Sequence, residues 1–425
     1  MTKRSWFLLA LVVFTASYSA CRSSPIQAPA RTDSFLDKHW ARSVGPQGSA
    51  PESLVGHGIT LDAQSCSKCH VEQFNTWKNS LHANAMGPGV LGQLIEMAPH
   101  ALKDHQSCIS CHAPLYEQAQ SLVVALEKKA RDSRFHEPAL HQQGVSCAAC
   151  HVREYQWYGP PRRDGSMVAT DSKDLAAQFP HNAWQSSLAF EDSKFCASCH
   201  QFEKAKDDPS INGKLLENTY EEWRESRFAR EGITCQKCHM PDRKHLWRGI
   251  HDPETVRQGV VVNTTPVKIE SGKVIASLTL ESKEIGHRFP TYVTPRVLLE
   301  IFQESSDGRS GWREIKGTLK RFIIGREVTI DIQTEVADTR LAPGEKVTLE
   351  YREKLKKNAR NLVLRVRVEP DEFYTRFYQA LLSQGMAKKG KGLIRQALKN
   401  SLESHYELYF KRQPLLPADQ APGPG

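Results

Sequence analysis

Cys66-Ser67-Lys68-Cys69-His70 is the first of five segments that share one spacing. The others are Cys108-Ile109-Ser110-Cys111-His112, Cys147-Ala148-Ala149-Cys150-His151, Cys196-Ala197-Ser198-Cys199-His200 and Cys235-Gln236-Lys237-Cys238-His239. Together they use ten of the 11 cysteines in the chain. Two thiols on one tight turn can each form a thioether with a vinyl group of a porphyrin. The histidine that follows then sits under the ring and can ligate its iron. With 11 Cys and 17 His in 425 residues, chance supplies roughly 0.01 such pattern in the whole chain. The spacing therefore implies five covalently bound c-type haems, attached through Cys66, Cys69, Cys108, Cys111, Cys147, Cys150, Cys196, Cys199, Cys235 and Cys238. Their proximal iron ligands are His70, His112, His151, His200 and His239. A zinc reading leaves the histidine after every pair unexplained, and five pairs do not divide into four-cysteine sites. Disulfides leave the same histidines without a role.

One haem for every forty residues or so, from Cys66 to about His251, is too little polypeptide for a conventional core around each ring. The porphyrins themselves must supply much of the buried apolar material, with short helices and loops wrapped on them. Such crowding brings neighbouring rings close and makes a path for electrons. A fainter repeat runs through the same region. Trp77-Lys78-Asn79-Ser80-Leu81-His82-Ala83 matches Trp223-Arg224-Glu225-Ser226-Arg227-Phe228-Ala229 at Trp, Ser and Ala, and Trp184 to Ser187 keeps Trp and Ser.

Beyond about Gly259 cysteine disappears and alternating β-rich runs follow: Val274–Leu280, Val297–Phe302, Val328–Thr334, Val347–Tyr351 and Leu362–Val368. Turns at Ser271-Gly272, Asp307-Gly308 and Leu341-Ala342-Pro343-Gly344-Glu345 separate them. This spacing predicts a small β-sandwich. Phe373, Phe377 and Leu381 then share one helical face, and Leu393, Ala397, Leu398, Leu402 and Tyr406 mark a second helix. The expected class is α+β: a mainly helical and loop multihaem domain wrapped on five haems (56–257), then a small β-sandwich domain (258–370), C-terminal helices (371–412) and a disordered tail (413–425).

The N-terminal residues predict export. Lys3 and Arg4 precede an apolar run from Trp6 to Phe14 and small residues up to Ala20, as in a signal peptide over 1–20. Tyr18-Ser19-Ala20-Cys21 resembles a bacterial lipobox in which Cys21 becomes the lipidated N-terminus, and 21–55 reads as a flexible tether. The localisation expected is the periplasmic side of a bacterial membrane, as an outer-membrane lipoprotein, or otherwise soluble in the periplasm. The formal net charge of +9 does not argue for nucleic acid. Without Lys3 and Arg4, and with two propionates per haem, the holoprotein comes to about +2 oxidised and about −3 reduced.

Each iron needs a sixth ligand for pure electron transfer. Methionine is scarce, whereas twelve histidines lie outside the five motifs. Most sites are therefore expected to be bis-histidine and of low potential. The candidate distal ligands are His82, beside Trp77; His181, ahead of the fourth motif; His245 and His251, behind the fifth; and His287, in Gly286-His287-Arg288-Phe289-Pro290-Thr291. His100, His105, His136 and His141 are reserves, and His39, His57 and His405 read as surface or tether residues.

These stretches resemble the cytochrome c-554-related multihaem family. The resemblance rests on Cys66 to His70 with Trp77-X-X-Ser80-X-His82-Ala83, on Gly144 to His151 with Gly159-Pro160, on Phe195 to Phe202, and on Thr219-Tyr220-Glu221-Glu222-Trp223 through Cys238-His239-Met240-Pro241. It covers roughly 60–255. The Gly286 to Thr291 loop resembles β domains that follow such regions in related exported cytochromes. The resemblance implies periplasmic electron carriage, often beside nitrogen or sulfur redox enzymes. The family's namesake type carries four haems and this chain has five motifs, so its ligand scheme does not transfer whole.

Two functions follow. One is an electron carrier between periplasmic or membrane redox partners, held at the membrane by its lipid. The other is a multihaem oxidoreductase acting on nitrite, hydroxylamine or a sulfur oxyanion at one five-coordinate haem. Pentahaem nitrite reductases typically bind the catalytic haem through Cys-X-X-Cys-Lys, and no such motif occurs here.

Overall fold

The computed structural model describes residues 30–41, 44–97, 102–126, 139–168, 184–204, 208–306 and 311–415. The expected signal peptide, Cys21, His100, His136, His181 and the turn at Asp307-Gly308 lie outside the described residues.

The half that carries the motifs is built from short helices: α1 (Ala30–His39), α2 (Glu52–Val55), α3 (Ala63–Cys66), α4 (Val71–Trp77), α5 (Pro88–Glu96), α6 (Leu102–His112), α7 (Tyr116–Leu126), α8 (Cys147–His151), α9 (Lys194–His200), α10 (Thr219–Arg224), α11 (Arg227–Arg230), α12 (Cys235–His239) and α13 (Pro253–Gly259). Between them lie β1 (Val152–Arg153), antiparallel to β2 (Gln156–Gly159), and β3 (Gln185–Ser186), parallel to β2. The hairpin of β4 (Ser210–Ile211) and β5 (Lys214–Leu215) follows. Apolar clusters here are small. One gathers Leu61, Leu115, Ala148 and Ala149, and another Met86, Leu94, Ile109 and Leu122. Helices this short do not hold themselves together in water.

The Trp repeat has a structural meaning. Trp77 Nε1 donates to Val145 O at 2.8 Å, and Trp223 Nε1 donates to Ile233 O at 2.9 Å. Each acceptor lies two residues before a motif cysteine, Cys147 and Cys235. Val145 N–H in turn donates to His82 O, and Ile233 N–H to Phe228 O, both at 2.8 Å. Two copies of one unit therefore suspend the third and fifth motifs from a tryptophan helix. His82 and Phe228 occupy the same place in the two copies.

The C-terminal half is a two-layer antiparallel sandwich. Its strands are β6 (Val260–Thr264), β7 (Lys268–Glu270), β8 (Lys273–Ser282), β9 (Arg296–Ser306), β10 (Trp312–Glu314), β11 (Lys320–Val328), β12 (Glu335–Asp338), β13 (Lys346–Lys354) and β14 (Asn361–Glu369). After helices α14 (Glu372–Ser383) and α15 (Lys391–Glu403), β15 (Tyr406–Pro414) completes the series. One sheet runs β12-β11-β9-β14-β15 with β10 on β9, and the other runs β13-β8-β6 with β7 on β8. Leu278 and Leu280 of β8 meet Leu299 and Ile301 of β9 and Leu364 and Val366 of β14 in one core.

Three expectations need correction. Val328–Thr334 is not a strand. β11 ends at Val328, and Thr329 to Thr334 form a turn in which the Asp331 carboxylate accepts from Thr329 Oγ1 and Gln333 N–H, with Ile332 left-handed at φ +56°. Tyr406 begins a strand instead of closing the second helix. Its partner β14 would otherwise present an unpaired edge, and the alternation of Tyr406 to Pro414 suits that position. The stretch expected as tether holds helix α1 and buries Leu36, His39, Val44 and Leu54.

The two halves interlock. Arg326 on β11, fully buried, donates to Leu215 O at 2.7 Å and pairs with Glu335 at 2.8 Å, while Lys214 bridges Glu335 and Asp338. On the far side α15 packs on α5, where a Cβ added at Gly390 would fall 2.4 Å from Gly92 O. Only glycine permits that approach.

Candidate haem-binding cluster

Each five-residue motif occupies about one helical turn, which sets both thiols on one side of the backbone. The motifs α8 and α12 are complete turns, whereas α6 and α9 carry theirs at the C-terminal end. Thiols from different motifs touch: Cys66 with Cys147, Cys196 with Cys235, and Cys199 with Cys111. Cys150 lies within electrostatic reach of both Cys196 and Cys199. The five motifs thus form one contiguous cluster instead of five separate sites. Among the described residues, no group of three or more His, Cys, Asp or Glu side chains converges as a protein-only metal site.

Three of the five candidate proximal histidines are fixed through their backbone-facing nitrogens. His112 Nδ1 bonds Ala85 O, His151 Nδ1 bonds Tyr158 O and His239 Nδ1 bonds Arg248 O, each at 2.7 Å. An imidazole that donates from Nδ1 to a carbonyl keeps the lone pair of Nε2 for a metal and cannot rotate away.

Three proximal rings face another imidazole. Ring centroids lie 6.2 Å apart for His200 and His82, 6.2 Å for His151 and His245, and 6.3 Å for His239 and His287. An iron bonded to two imidazole nitrogens at about 2 Å each requires centroids about 6.3 Å apart. The spacing in all three pairs therefore fits one iron between two rings. Of the five candidate distal ligands, His82, His245 and His287 are placed in this way. His245, which follows the fifth motif in sequence, faces the third.

Local structure explains each placement. His245 N–H donates to Thr76 Oγ1 at 3.1 Å, and its Nδ1 bonds Arg243 O at 3.1 Å. His287 projects from a loop pinned by paired Phe289 and Leu341 backbone hydrogen bonds at 2.8 Å, and by Arg288 N–H donating to Glu222 at 3.1 Å. Burial disfavours the imidazolium form. It is the main cause that holds His82 down at about 3, and His245 and His287 at about 4. All three are neutral near pH 7, which is the form that ligates.

His251 is a correction. Its Nε2 lies 3.0 Å from Asp371 Oδ1, so that nitrogen is engaged by a carboxylate. A second correction concerns His39, expected at the surface. It is buried among Phe35, Tyr158, Phe190 and Phe195, with Nε2 bonded to Cys150 O at 2.8 Å. Burial, with the nearby Arg153 charge, lowers it to about 3. Sequence reasoning missed the carbonyls of Ala85, Tyr158 and Arg248, which orient proximal rings, because a backbone acceptor has no residue signature. It also passed over Trp247, whose ring lies 4.6 Å from that of His82 and 5.1 Å from that of His245.

Comparisons with known proteins agree with the resemblance read from the motifs. A family model, Cytochrome c554 and c-prime, matches residues 65–152. A curated relative, Cytochrome c-554 of Nitrosomonas europaea, is 27% identical over 162 residues, covering 34% of this chain and 61% of the relative. The chain thus spans less than two thirds of that relative's length. A solved structure, a penta-heme cytochrome c552 from Thermochromatium tepidum, superposes with a TM-score of 0.56 at 16% identity, covering 82% of this chain and 97% of that one. At that identity the likeness concerns the fold. The mixed helix-and-sheet architecture is shared.

Proposed function

We propose, from the premise that residues 65–152 carry cytochrome c554-family sequence, that this chain is an exported multihaem c-type cytochrome that carries electrons. When bound, five c-type haems supply one-electron redox chemistry. The ten motif thiols anchor them, and His70, His112, His151, His200 and His239 are the proximal ligands. His82, His245 and His287 are the distal ligands to the sites of His200, His151 and His239. The observation that carries this reading is the set of three imidazole pairs at 6.2, 6.2 and 6.3 Å. Bis-imidazole ligation gives low potentials, and thiol contacts between motifs keep neighbouring sites close enough for rapid transfer.

The haem-wrapped domain, the sandwich as a docking element, the periplasmic or membrane redox partners and the lipid anchor at Cys21 belong to the same proposal. No helix among the described residues is long and apolar enough to cross a membrane. Intact mass of the mature protein tests the cofactor count: five haem increments support the reading, and the bare polypeptide mass would end it.

A specific observation favours a second reading at one site. His112 is not in one of the three ring pairs above, although His82 and His200 lie within electrostatic reach of it, and Tyr292 and Tyr374 lie within electrostatic reach of Cys111 and Cys108. Burial keeps both phenols protonated, so they can donate hydrogen bonds. A small nitrogen or sulfur substrate at this site is the oxidoreductase alternative. Low-temperature electron paramagnetic resonance separates the two readings: a high-spin ferric signal assigns an open iron here, and low-spin signals alone assign a carrier.

A further inference from the structure

We infer that Trp247 is a shared positioning residue that fixes the imidazole planes of two distal ligands, His82 and His245, and so couples two haem sites. The inference rests on the ligand pairs of the proposed function. The indole lies 4.6 Å from the His82 ring, and it meets the His245 ring at 5.1 Å with planes 84° apart. His82 faces His200 and His245 faces His151, so one side chain stands between ligands of the fourth and third motifs.

The backbone of the same residue serves the fifth motif. Trp247 N–H donates to His239 O at 2.9 Å, and the next carbonyl, Arg248 O, accepts from His239 Nδ1 at 2.7 Å. Residues 243 to 248 therefore touch all three imidazole pairs. This segment is held in an uncommon conformation: Asp242, Arg243 and Trp247 have φ of +54°, +59° and +41°. A bulky side chain in the left-handed region persists only where its surroundings fix it. Here the Arg243 guanidinium does so from outside, donating to Pro161 O at 2.8 Å and pairing with Glu191. A leucine at 247 would fill space, but it would lack the flat face that sets the angle of a neighbouring imidazole.

The orientation of an axial imidazole sets the g values of a low-spin ferric haem and contributes to its potential. The experiment is low-temperature electron paramagnetic resonance and a redox titration on the intact holoprotein as wild type, Trp247→Leu and Trp247→Phe. Trp247→Gly, which accepts the left-handed backbone, is added in case the leucine variant does not fold. The expected result is a shift of two low-spin signals and two midpoint potentials in the Leu or Gly variant, with substantial recovery in the Phe variant. The site of His239 and His287 should stay at its wild-type values, because every variant keeps the N–H at position 247. Unchanged spectra in the Leu and Gly variants, or an equal shift of all sites, would overturn the inference. Haem content by mass is measured on the same samples. Loss of haem from the wild type would defeat the functional reading, whereas five haems with unmoved signals would defeat only the role of Trp247.

Discussion

The rings of His239 and His287 lie 15° from parallel with centroids 6.3 Å apart. One belongs to the fifth motif and the other to the loop between β8 and β9, so the sandwich places a candidate ligand against a motif histidine. His287→Met should raise the potential of one haem, because a thioether favours ferrous iron more than imidazole does. A rise on the order of 0.1 V fits within the about 0.8 V range that axial ligands span. In a spectroelectrochemical titration, one component should move and the others hold. No movement would remove His287 from the ligand set.

Gly144 illustrates how closely the third motif approaches His82, a candidate distal ligand. Its φ is +61°, and a Cβ there would fall 2.2 Å from His82 O. Gly144→Ala should destabilise the protein by about 1–3 kcal/mol through backbone strain, and should also displace His82. Gly232, its counterpart in the repeat, has φ +68° but nothing within 4 Å of the same position. Gly232→Ala should therefore cost only about 1 kcal/mol and leave the His82 signal intact. Urea midpoints with paramagnetic resonance on both variants check this contrast.

Loss of His251 should leave the haem spectrum alone. Its Nε2 is engaged by Asp371 at 3.0 Å at a half-buried position. His251→Asn should cost about 1 kcal/mol, the typical worth of one hydrogen bond, with haem content, g values and potentials unchanged. Loss of one low-spin signal would restore His251 as a ligand.

Asp338 gives the contact between the halves an acid limit. Burial alone would raise its pKa, but hydrogen bonds and charge from Arg340 and Lys214 outweigh burial and hold it well below the usual carboxylate range. A folded pKa below the unfolded one means that its contribution is present above about pH 4 and lost as pH falls through the folded value. The urea midpoint should drop below pH 4, and Asp338→Asn should flatten that fall while lowering the midpoint at pH 7. A parallel fall in both proteins would count against Asp338 as a source.

Covalent chemistry was the legible part of this chain. The spacing of Cys66 to His70 and its four repeats carries the reading of thioether attachment and proximal ligation within five residues, with no need of tertiary contacts. Strands β8 and β13 were equally readable from alternation, and β9 and β14 from apolar runs, since they are central strands buried on both faces. β11 was overlooked and Val328–Thr334 misread, because the alternation continues through a turn that only the Asp331 side-chain bonds reveal.

Distal ligation depended on tertiary structure. His82, His245, His251 and His287 looked alike as candidates, because any of twelve spare imidazoles could in principle reach an iron. What separated them was where the folded backbone carried each ring: His245 past its own motif to His151, His287 across from the sandwich to His239, and His251 away to Asp371. Each attachment motif spans about a single helical turn. The sixth ligand is a contact between residues distant in sequence, and only the packing of the two halves brings such residues together.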